Sequence, residues 1–166
     1  MEALSGTTGG SRRPGGAFVL VGFMGAGKTS GARKLAAELG GGVEALDSDR
    51  ELEADLGEPI EAFFDREGET AFREREERAI LALLDRDDAR VVALGGGALG
   101  SERVRDALRS HTVIYLDVRA EDAWHRAAGK GRPLARDRTR FEALHAERGA
   151  LYESVADALL PPNGRD

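Results

Sequence analysis

Gly22-Phe23-Met24-Gly25-Ala26-Gly27-Lys28-Thr29 is the stretch of sequence that decides the fold. It matches the phosphate-binding loop pattern G-x-x-x-x-G-K-[ST] at every fixed position. The apolar residues 17–21 precede it and predict a buried strand, and apolar residues at helical spacing follow it as far as Leu39. A strand, a glycine-rich loop and a helix together direct several backbone N–H groups at one anion. The stretch therefore predicts a binding site for a polyphosphate rather than a glycine-rich turn with a chance lysine.

The side chains of this loop suit a nucleotide and its metal ion. Lys28 is placed to reach the β and γ phosphates, and the Thr29 hydroxyl can ligate Mg²⁺. On its own, the loop indicates only that phosphate groups bind here. They would contact Gly25, Ala26, Gly27, Lys28, Thr29 and Ser30.

Length and composition limit the possible classes of protein. The 166 residues suffice for one domain with a core, and the net charge of −6 disfavours a nucleic-acid-binding P-loop protein. The absence of cysteine excludes disulfides and thiolate chemistry and suits a reducing compartment. No apolar run approaches the ~20 residues that span a bilayer. We expect a cytoplasmic monomer that binds neither nucleic acid nor membranes.

Predicted helices and strands alternate along the chain. The strands are expected at residues 17–21, 43–46, 91–94, 111–116 and 156–160, and the helices at 28–39, 49–56, 59–65, 69–84, 101–109, 120–126 and in a last stretch ending near 155. This alternation predicts an α/β fold with a mostly parallel five-stranded sheet covered on both faces. We expect a flexible tail at 1–16, with an inert extension as the favoured interpretation, and a single domain at 17–166.

Two acidic residues follow the second predicted strand. Asp47 and Asp49 stand at positions i and i+2, and the carboxyl ends of parallel strands meet at one edge of the sheet. A kinase needs one acidic group near Mg²⁺ and another near the acceptor hydroxyl. The alternative is that Asp49 only caps the next helix.

A carboxylate interrupts the apolar face of the helix predicted at 69–84. Glu76 falls among apolar residues, where a charge is costly unless it is paired, and Arg73 lies one turn away. A rigid arginine is suited to binding a substrate carboxylate with two parallel hydrogen bonds. A purely structural ion pair is the alternative.

Two further segments are expected near the loop. Gly95, Gly96 and Gly97 follow the third predicted strand and permit a ligand to approach the backbone closely, unless they form only a flexible turn. Residues 126–148 contain seven arginines or lysines and three acidic residues. Concentrated positive charge suits a mobile lid over a triphosphate at about 126–140, although a solvated basic loop has the same composition.

Taken together, these motifs resemble the shikimate kinase family. The matching residues are 22–29, Asp47-Ser48-Asp49, Gly68-Glu69, Phe72-Arg73, Glu76, 95–97, Arg132-Pro133-Leu134, Arg148 and Leu151-Tyr152, in an overall match from about Phe18 to Ala156. The resemblance implies a P-loop NTPase-type, three-layer α/β/α fold. It also implies an enzyme that transfers phosphate from ATP to the 3-hydroxyl of shikimate, a step in aromatic amino acid biosynthesis.

The resemblance also implies roles for individual residues. Asp47 would assist Thr29 at Mg²⁺, and Asp49 would bind the acceptor hydroxyl as base or orienter. Arg73 and Arg148 would hold the substrate carboxylate, with Glu76 supporting Arg73 and the backbone of 95–97 contacting the substrate. Catalytic roles would fall to Lys28, Asp49 and Arg132; Arg132 would reach the phosphates from the lid, and Arg126 would pack on adenine.

One departure from the family and two alternatives remain at this stage. The family continues past the fifth strand into a final helix, whereas this sequence ends at residue 166, so an open edge of the nucleotide pocket is expected. Another small-metabolite kinase, such as a gluconate kinase, would use the same charges. A nucleotide-binding regulator without turnover is expected to lack Asp47, Asp49 or Arg148, and all three are present.

Overall fold

The computed structural model describes residues 16–128 and 137–162. In chain order the elements are β1 (Phe18–Val21), α1 (Lys28–Leu39), β2 (Ala45–Asp47), α2 (Ser48–Leu56), α3 (Ile60–Leu84), β3 (Val91–Ala93), a 3₁₀ turn (Ala98–Gly100), α4 (Glu102–Leu108), β4 (Thr112–Leu116), α5 (Ala120–Ala127), α6 (Arg138–Val155) and β5 (Ala158–Leu160). Residues 1–15 of the expected tail and 129–136 of the expected lid, including Arg132, lie outside the described residues.

The strands form one parallel sheet in the order β2-β3-β1-β4-β5. Strand β1 occupies the centre, where Leu20 is in register with Ala93 of β3 on one side and with Ile114 of β4 on the other. All of the pairings are parallel. The predicted α/β class with a five-stranded parallel sheet is confirmed, and the phosphate-binding loop leaves the carboxyl end of the central strand.

Helices cover both faces of this sheet. Successive side chains of a strand point to opposite faces, so Val19 and Val21 enter one buried cluster with residues of α3, α4, α5 and α6. Leu20 faces the other way, into a smaller cluster with Ala32 and Ala36 of α1. This arrangement is the expected three-layer α/β/α architecture, and it explains why β1 is a continuous apolar run.

A third apolar cluster lies between α2 and α3, separate from the two clusters on the sheet. Its buried members are Leu52, Phe63 and Phe72, and we refer to these three residues as the α2–α3 cluster. It packs together the two helices that carry Asp49 and Arg73.

The second strand departs from its predicted boundaries, whereas the predicted division of the third helical element is confirmed. The second strand was expected at 43–46 but runs from Ala45 to Asp47, so Asp47 ends the strand itself. The two helices expected at 59–65 and 69–84 are both present: the element Ile60–Leu84, which we call α3, consists of two helical stretches that meet at a kink at Gly68, where φ is 85° and ψ is 175°. The break falls between the two predicted helices, because this backbone conformation is open almost only to glycine.

No helix within residues 16–128 and 137–162 combines the length and the apolar character needed to cross a bilayer.

Candidate functional site

The phosphate-binding loop connects the central strand to the N-terminus of α1. Gly27 is the N-cap of α1 in a left-handed conformation (φ 88°), which a residue with a Cβ adopts at a cost. The ammonium group of Lys28 donates to the carbonyl oxygens of Gly22 at 2.5 Å and Phe23 at 3.2 Å. Lys28 thus lies over its own loop, and a bound polyphosphate would compete with these carbonyls for it.

Thr29 and Asp47 meet at the edge of the sheet. The Thr29 hydroxyl donates to Oδ2 of Asp47 at 2.9 Å, although the residues are 18 positions apart in the sequence. A hydroxyl and a carboxylate oxygen are the hard ligands that Mg²⁺ prefers. These two donors therefore fit the metal ion that the sequence implied, and they face the loop that would hold the phosphates.

Asp47 also caps the helix that follows it. Its Oδ1 atom accepts hydrogen bonds from the backbone N–H groups of Asp49 at 3.0 Å and Arg50 at 3.4 Å. The alternative that Asp49 is the capping residue is therefore wrong, because Asp47 occupies the N-cap position. Asp49 lies in the first turn of α2, and its carboxylate is not used for capping.

The carboxylate of Asp49 lies in an environment that disfavours its charge. Desolvation in the crevice contributes most, and the negative charges of Asp47 and Glu76 add to it; together they raise the pKa of Asp49 from 3.8 to about 6. Lys28 opposes the shift with its positive charge. The residue as a whole is nevertheless exposed, so water still reaches this carboxylate. A raised pKa in a cleft is typical of functional carboxylates.

Arg73 and Glu76 form the ion pair that the sequence predicted. Nη1 of Arg73 donates to Oε1 of Glu76 at 2.7 Å, and only 5% of Glu76 is exposed. The guanidinium also lies 5.0 Å from the centre of the Phe72 ring. These contacts hold the arginine in one orientation at the margin of the core.

Arg148 approaches the same place from α6. Desolvation, supported by the positive charge of Arg73, lowers the pKa of its guanidinium. Its Cζ atom lies 5.8 Å from the centre of the Phe23 ring. Two arginines that repel each other in a partly desolvated crevice favour an anion between them.

Each glycine of the triplet 95–97 accommodates one of these side chains. A Cβ atom at Gly95 would lie 2.6 Å from Oδ1 of Asp49, and one at Gly96 would lie 3.3 Å from Nη1 of Arg148. A Cβ atom at Gly97 would lie 2.7 Å from Nη2 of Arg73. None of the three has a left-handed φ. At Gly95 and Gly97 the absence of a Cβ atom is thus what lets these side chains lie so close to the backbone, whereas the contact at Gly96 is tight without being a clash.

Two cavities adjoin these residues. One, of about 1000 Å³, is lined by Arg73, Glu76, Gly96, Gly97 and Arg148 among others. The second, of about 490 Å³, is lined by residues that include Ala26, Asp117, Arg126, Leu160 and Pro161. The first contains the two arginines and is suited to an acidic acceptor, whereas the second begins at the phosphate-binding loop and suits the rest of a nucleotide.

Of the remaining predicted nucleotide residues, Arg126 lines the second cavity. Nη1 of Arg126 donates to the carbonyl oxygen of Gly25 in the phosphate-binding loop. Ser30 is exposed in the first turn of α1. The predicted contact of Arg126 with adenine stays a prediction. Arg132 lies outside the described residues.

Sequence reasoning did not assign a role to two residues that bond to the glycine triplet. The hydroxyl oxygen of Ser48 accepts a hydrogen bond from the N–H group of Gly95 at 2.9 Å. The hydroxyl of Tyr152 donates to the carbonyl oxygen of Gly96 at 2.5 Å. Both side chains are buried. The only available signal was a serine between two aspartates and a tyrosine one turn after Arg148.

The loop, the acidic strand end and the paired arginines together match one family of known proteins. A family model described as shikimate kinase matches residues 24–166. The shikimate kinase of Mycobacterium avium is 41% identical over 152 residues, which cover 89% of this chain and 85% of that protein. The shikimate kinase of Salinispora tropica is 43% identical over 150 residues, covering 89% and 88% of the two chains.

Solved structures give the same result. The structure of the shikimate kinase from Acinetobacter baumannii in complex with shikimate has a TM-score of 0.82 and 38% identity, covering 89% of this chain and 84% of that one. The Aquifex aeolicus shikimate kinase has a TM-score of 0.76 and 28% identity, with coverage of 87% and 86%. The chain therefore belongs to the shikimate kinase family.

Proposed function

We propose that this chain transfers the γ-phosphoryl group of ATP to the 3-hydroxyl of shikimate, giving shikimate 3-phosphate and ADP. The observation that carries the proposal is the glycine triplet, on which the carboxylate of Asp49 and the guanidinium groups of Arg73 and Arg148 pack side by side. The two arginines line the larger cavity. A hydroxyl-binding carboxylate and two cations suit an acceptor with a hydroxyl and a carboxylate. The family membership supports the same activity.

The residues divide the work of phosphoryl transfer between them. Backbone N–H groups of the phosphate-binding loop and Lys28 would bind the phosphates, and Asp49 would orient the acceptor hydroxyl and accept its proton. Arg73 and Arg148 would hold the acceptor carboxylate, so that the hydroxyl faces the γ-phosphate. Arg132, which lies outside the described residues, would add positive charge near the transferred group.

Mg²⁺ is part of the proposal. Thr29 and Asp47 would hold it, because their oxygen atoms already lie 2.9 Å apart beside the loop. When bound, the ion neutralises the charge that develops on the phosphates. We further propose a monomer in the cytoplasm, a reducing compartment that suits a chain without cysteine.

An assay of ADP release tests the activity. The purified chain is incubated with Mg²⁺ and ATP together with shikimate, with gluconate or without an acceptor. We expect ADP only with shikimate, and removal of Mg²⁺ with EDTA should abolish the release. Turnover with gluconate would favour the other small-metabolite kinase, and ATP binding without turnover would favour a regulator.

The Arg73→Ala variant tests the proposed substrate clamp. Loss of a bidentate contact to a charged group should raise KM for shikimate at least about tenfold. KM for ATP should change by less than about twofold, because the arginine lies at the acceptor cavity. Equal increases in both constants would mean that Arg73 only supports the structure.

A further inference from the structure

Ser48 and Tyr152 bond to neighbouring peptide groups of the glycine triplet from two different parts of the fold. Ser48 begins α2 and bonds to the N–H group of Gly95, 47 residues away. Tyr152 lies near the end of α6 and bonds to the carbonyl oxygen of Gly96, 56 residues away. The two hydroxyl groups therefore connect one short backbone segment to two helices that are distant in the sequence.

Each hydroxyl belongs to the same helix as a side chain of the acceptor site. Ser48 directly precedes Asp49, whose carboxylate packs on Gly95. Tyr152 follows Arg148 by one helical turn, and the guanidinium of Arg148 packs on Gly96. Gly95 is thus contacted by both Ser48 and Asp49, and Gly96 is contacted by both Tyr152 and Arg148. The backbone at Gly95 and Gly96 lies between the group for the acceptor hydroxyl and a group for its carboxylate.

Both hydrogen bonds are shielded from water. Ser48 is 3% exposed and Tyr152 is 1% exposed, so water would not readily replace either partner. Burial raises the pKa of Tyr152 to about 12, so its hydroxyl stays protonated and remains a donor well above neutral pH. Breaking either bond would leave a buried peptide group without its partner.

We propose that Ser48 and Tyr152 are positioning residues that fix the distance between Asp49 and Arg148, and that this distance selects acceptors by the spacing of their hydroxyl and carboxylate groups. The proposal rests on the proposed function. Neither residue touches the reacting atoms. Each acts through the triplet, which separates the two ends of the acceptor site.

The test compares the Ser48→Ala and Tyr152→Phe variants with matched controls. Tyr115→Phe removes the hydroxyl of another buried tyrosine, whose ring lies 5.2 Å from that of Tyr152 but whose hydroxyl donates to Asp117. Ser154→Ala removes a hydroxyl on α6 that bonds to the carbonyl oxygen of Leu151. Thermal unfolding of every variant shows that the compared proteins are folded.

We expect Ser48→Ala and Tyr152→Phe each to raise KM for shikimate by roughly tenfold, while KM for ATP and the dissociation constant of ATP stay within about twofold. The ratio of the dissociation constant of gluconate to that of shikimate, measured by calorimetry, should fall in both variants, and the controls should keep it. The increase in KM for shikimate in the double variant should be smaller than the product of the increases in the two single variants, because both residues act on one segment. Ser48→Thr, which keeps the hydroxyl, should recover most of the loss.

Two results would overturn the inference. In one, the two variants keep the KM for shikimate of the wild type. In the other, KM for both substrates rises equally, which marks a general structural role. A wild-type protein without shikimate turnover would contradict the proposed function instead. In that case, shikimate binding measured by calorimetry still tests the positioning role, since both variants should weaken it relative to Tyr115→Phe.

Discussion

Asp49 carries a charge that the folded protein disfavours. Desolvation and the carboxylates of Asp47 and Glu76 raise its pKa from 3.8 to about 6, although the acceptor site uses this residue as a carboxylate in our proposal. A group that must be ready for a ligand is often held at a cost to stability. The charge of Asp49 therefore serves the proposed function and lowers the stability of the fold, and its effect on stability can be measured.

The Asp49→Asn variant should be more stable than the wild type at neutral pH. A carboxyl whose pKa is higher in the folded state binds more protons there than in the unfolded chain, so stability falls as the pH rises from about 4 to about 6. The penalty is absent below this window and complete above it. In metal-free buffer, the melting temperature should rise by a few degrees at pH 7.5 and change little at pH 4.

The exposed Asp87 provides the control for this prediction, because Asp87→Asn removes one negative charge away from the site. An equal gain in melting temperature from both variants at pH 7.5 would attribute the effect to net charge. No gain from Asp49→Asn would mean that the site does not penalise its carboxylate. Activity assays on the same samples should show a large loss of kcat for Asp49→Asn only.

At the scale of elements, the turn after β3 is shaped by the side chains that pack on it. The sequence predicted that its three glycines allow a ligand to approach. Ser48 and Tyr152 occupy the N–H group of Gly95 and the carbonyl oxygen of Gly96. The glycines chiefly allow Asp49, Arg148 and Arg73 to approach the backbone. The turn therefore determines where the three side chains of the proposed acceptor site can lie.

The Gly97→Ala variant tests whether the turn determines the position of Arg73. Its Cβ atom would lie 2.7 Å from Nη2 and 2.8 Å from Cζ of Arg73, so the guanidinium would have to move. We expect KM for shikimate to rise at least about tenfold, as for loss of a charged hydrogen bond, with KM for ATP nearly unchanged. Gly100→Ala is the control, because its Cβ atom would meet no atom within 4 Å. Similar kinetics for both variants would contradict the prediction.

The break in α3 leads us to expect that a substitution at Gly68 changes the free energy of unfolding. Gly68 has φ 85° and ψ 175°, and the space around its missing Cβ atom is open, so Gly68→Ala introduces backbone strain without a clash. The free energy of unfolding should fall by about 1–3 kcal/mol in urea titrations. Gly149→Ala within α6 should have the opposite sign, a gain of up to ~1 kcal/mol, because alanine favours a regular helix. A neutral Gly68→Ala would show that the helix can close over the break.

For the whole molecule, the sequence predicted the order of elements and most boundaries within one or two residues. Apolar runs and glycines mark those boundaries locally, and at the start of the helix predicted at 101–109 the side chain of Ser101 caps α4. The pair of Arg73 and Glu76 was also predictable, because one helical turn separates them. Two other contacts could not be predicted: the capping of α2 by Asp47 and the hydrogen bond between Ser48 and Gly95. Both depend on the atomic geometry where two elements meet.

Because the apolar residues form separate clusters, we expect some core substitutions to lower stability alone and others also to weaken substrate binding. Leu52 belongs to the α2–α3 cluster, which joins the helices of Asp49 and Arg73, whereas Leu108 belongs to the large cluster on the sheet. Both are 2% exposed or less, so Leu52→Ala and Leu108→Ala should each cost about 2–5 kcal/mol of stability. Only Leu52→Ala should loosen the acceptor side of the site.

Steady-state kinetics below the unfolding transition of both variants test this separation. Leu52→Ala should raise KM for shikimate several-fold more than KM for ATP, because the loosened helices carry Asp49 and Arg73 but not the phosphate-binding loop. Leu108→Ala should leave both constants near those of the wild type. Hydrogen exchange should show faster exchange in α2 for Leu52→Ala, reversed by shikimate. If both variants changed the two constants in the same proportion, the α2–α3 cluster would be no more than a continuation of the main core.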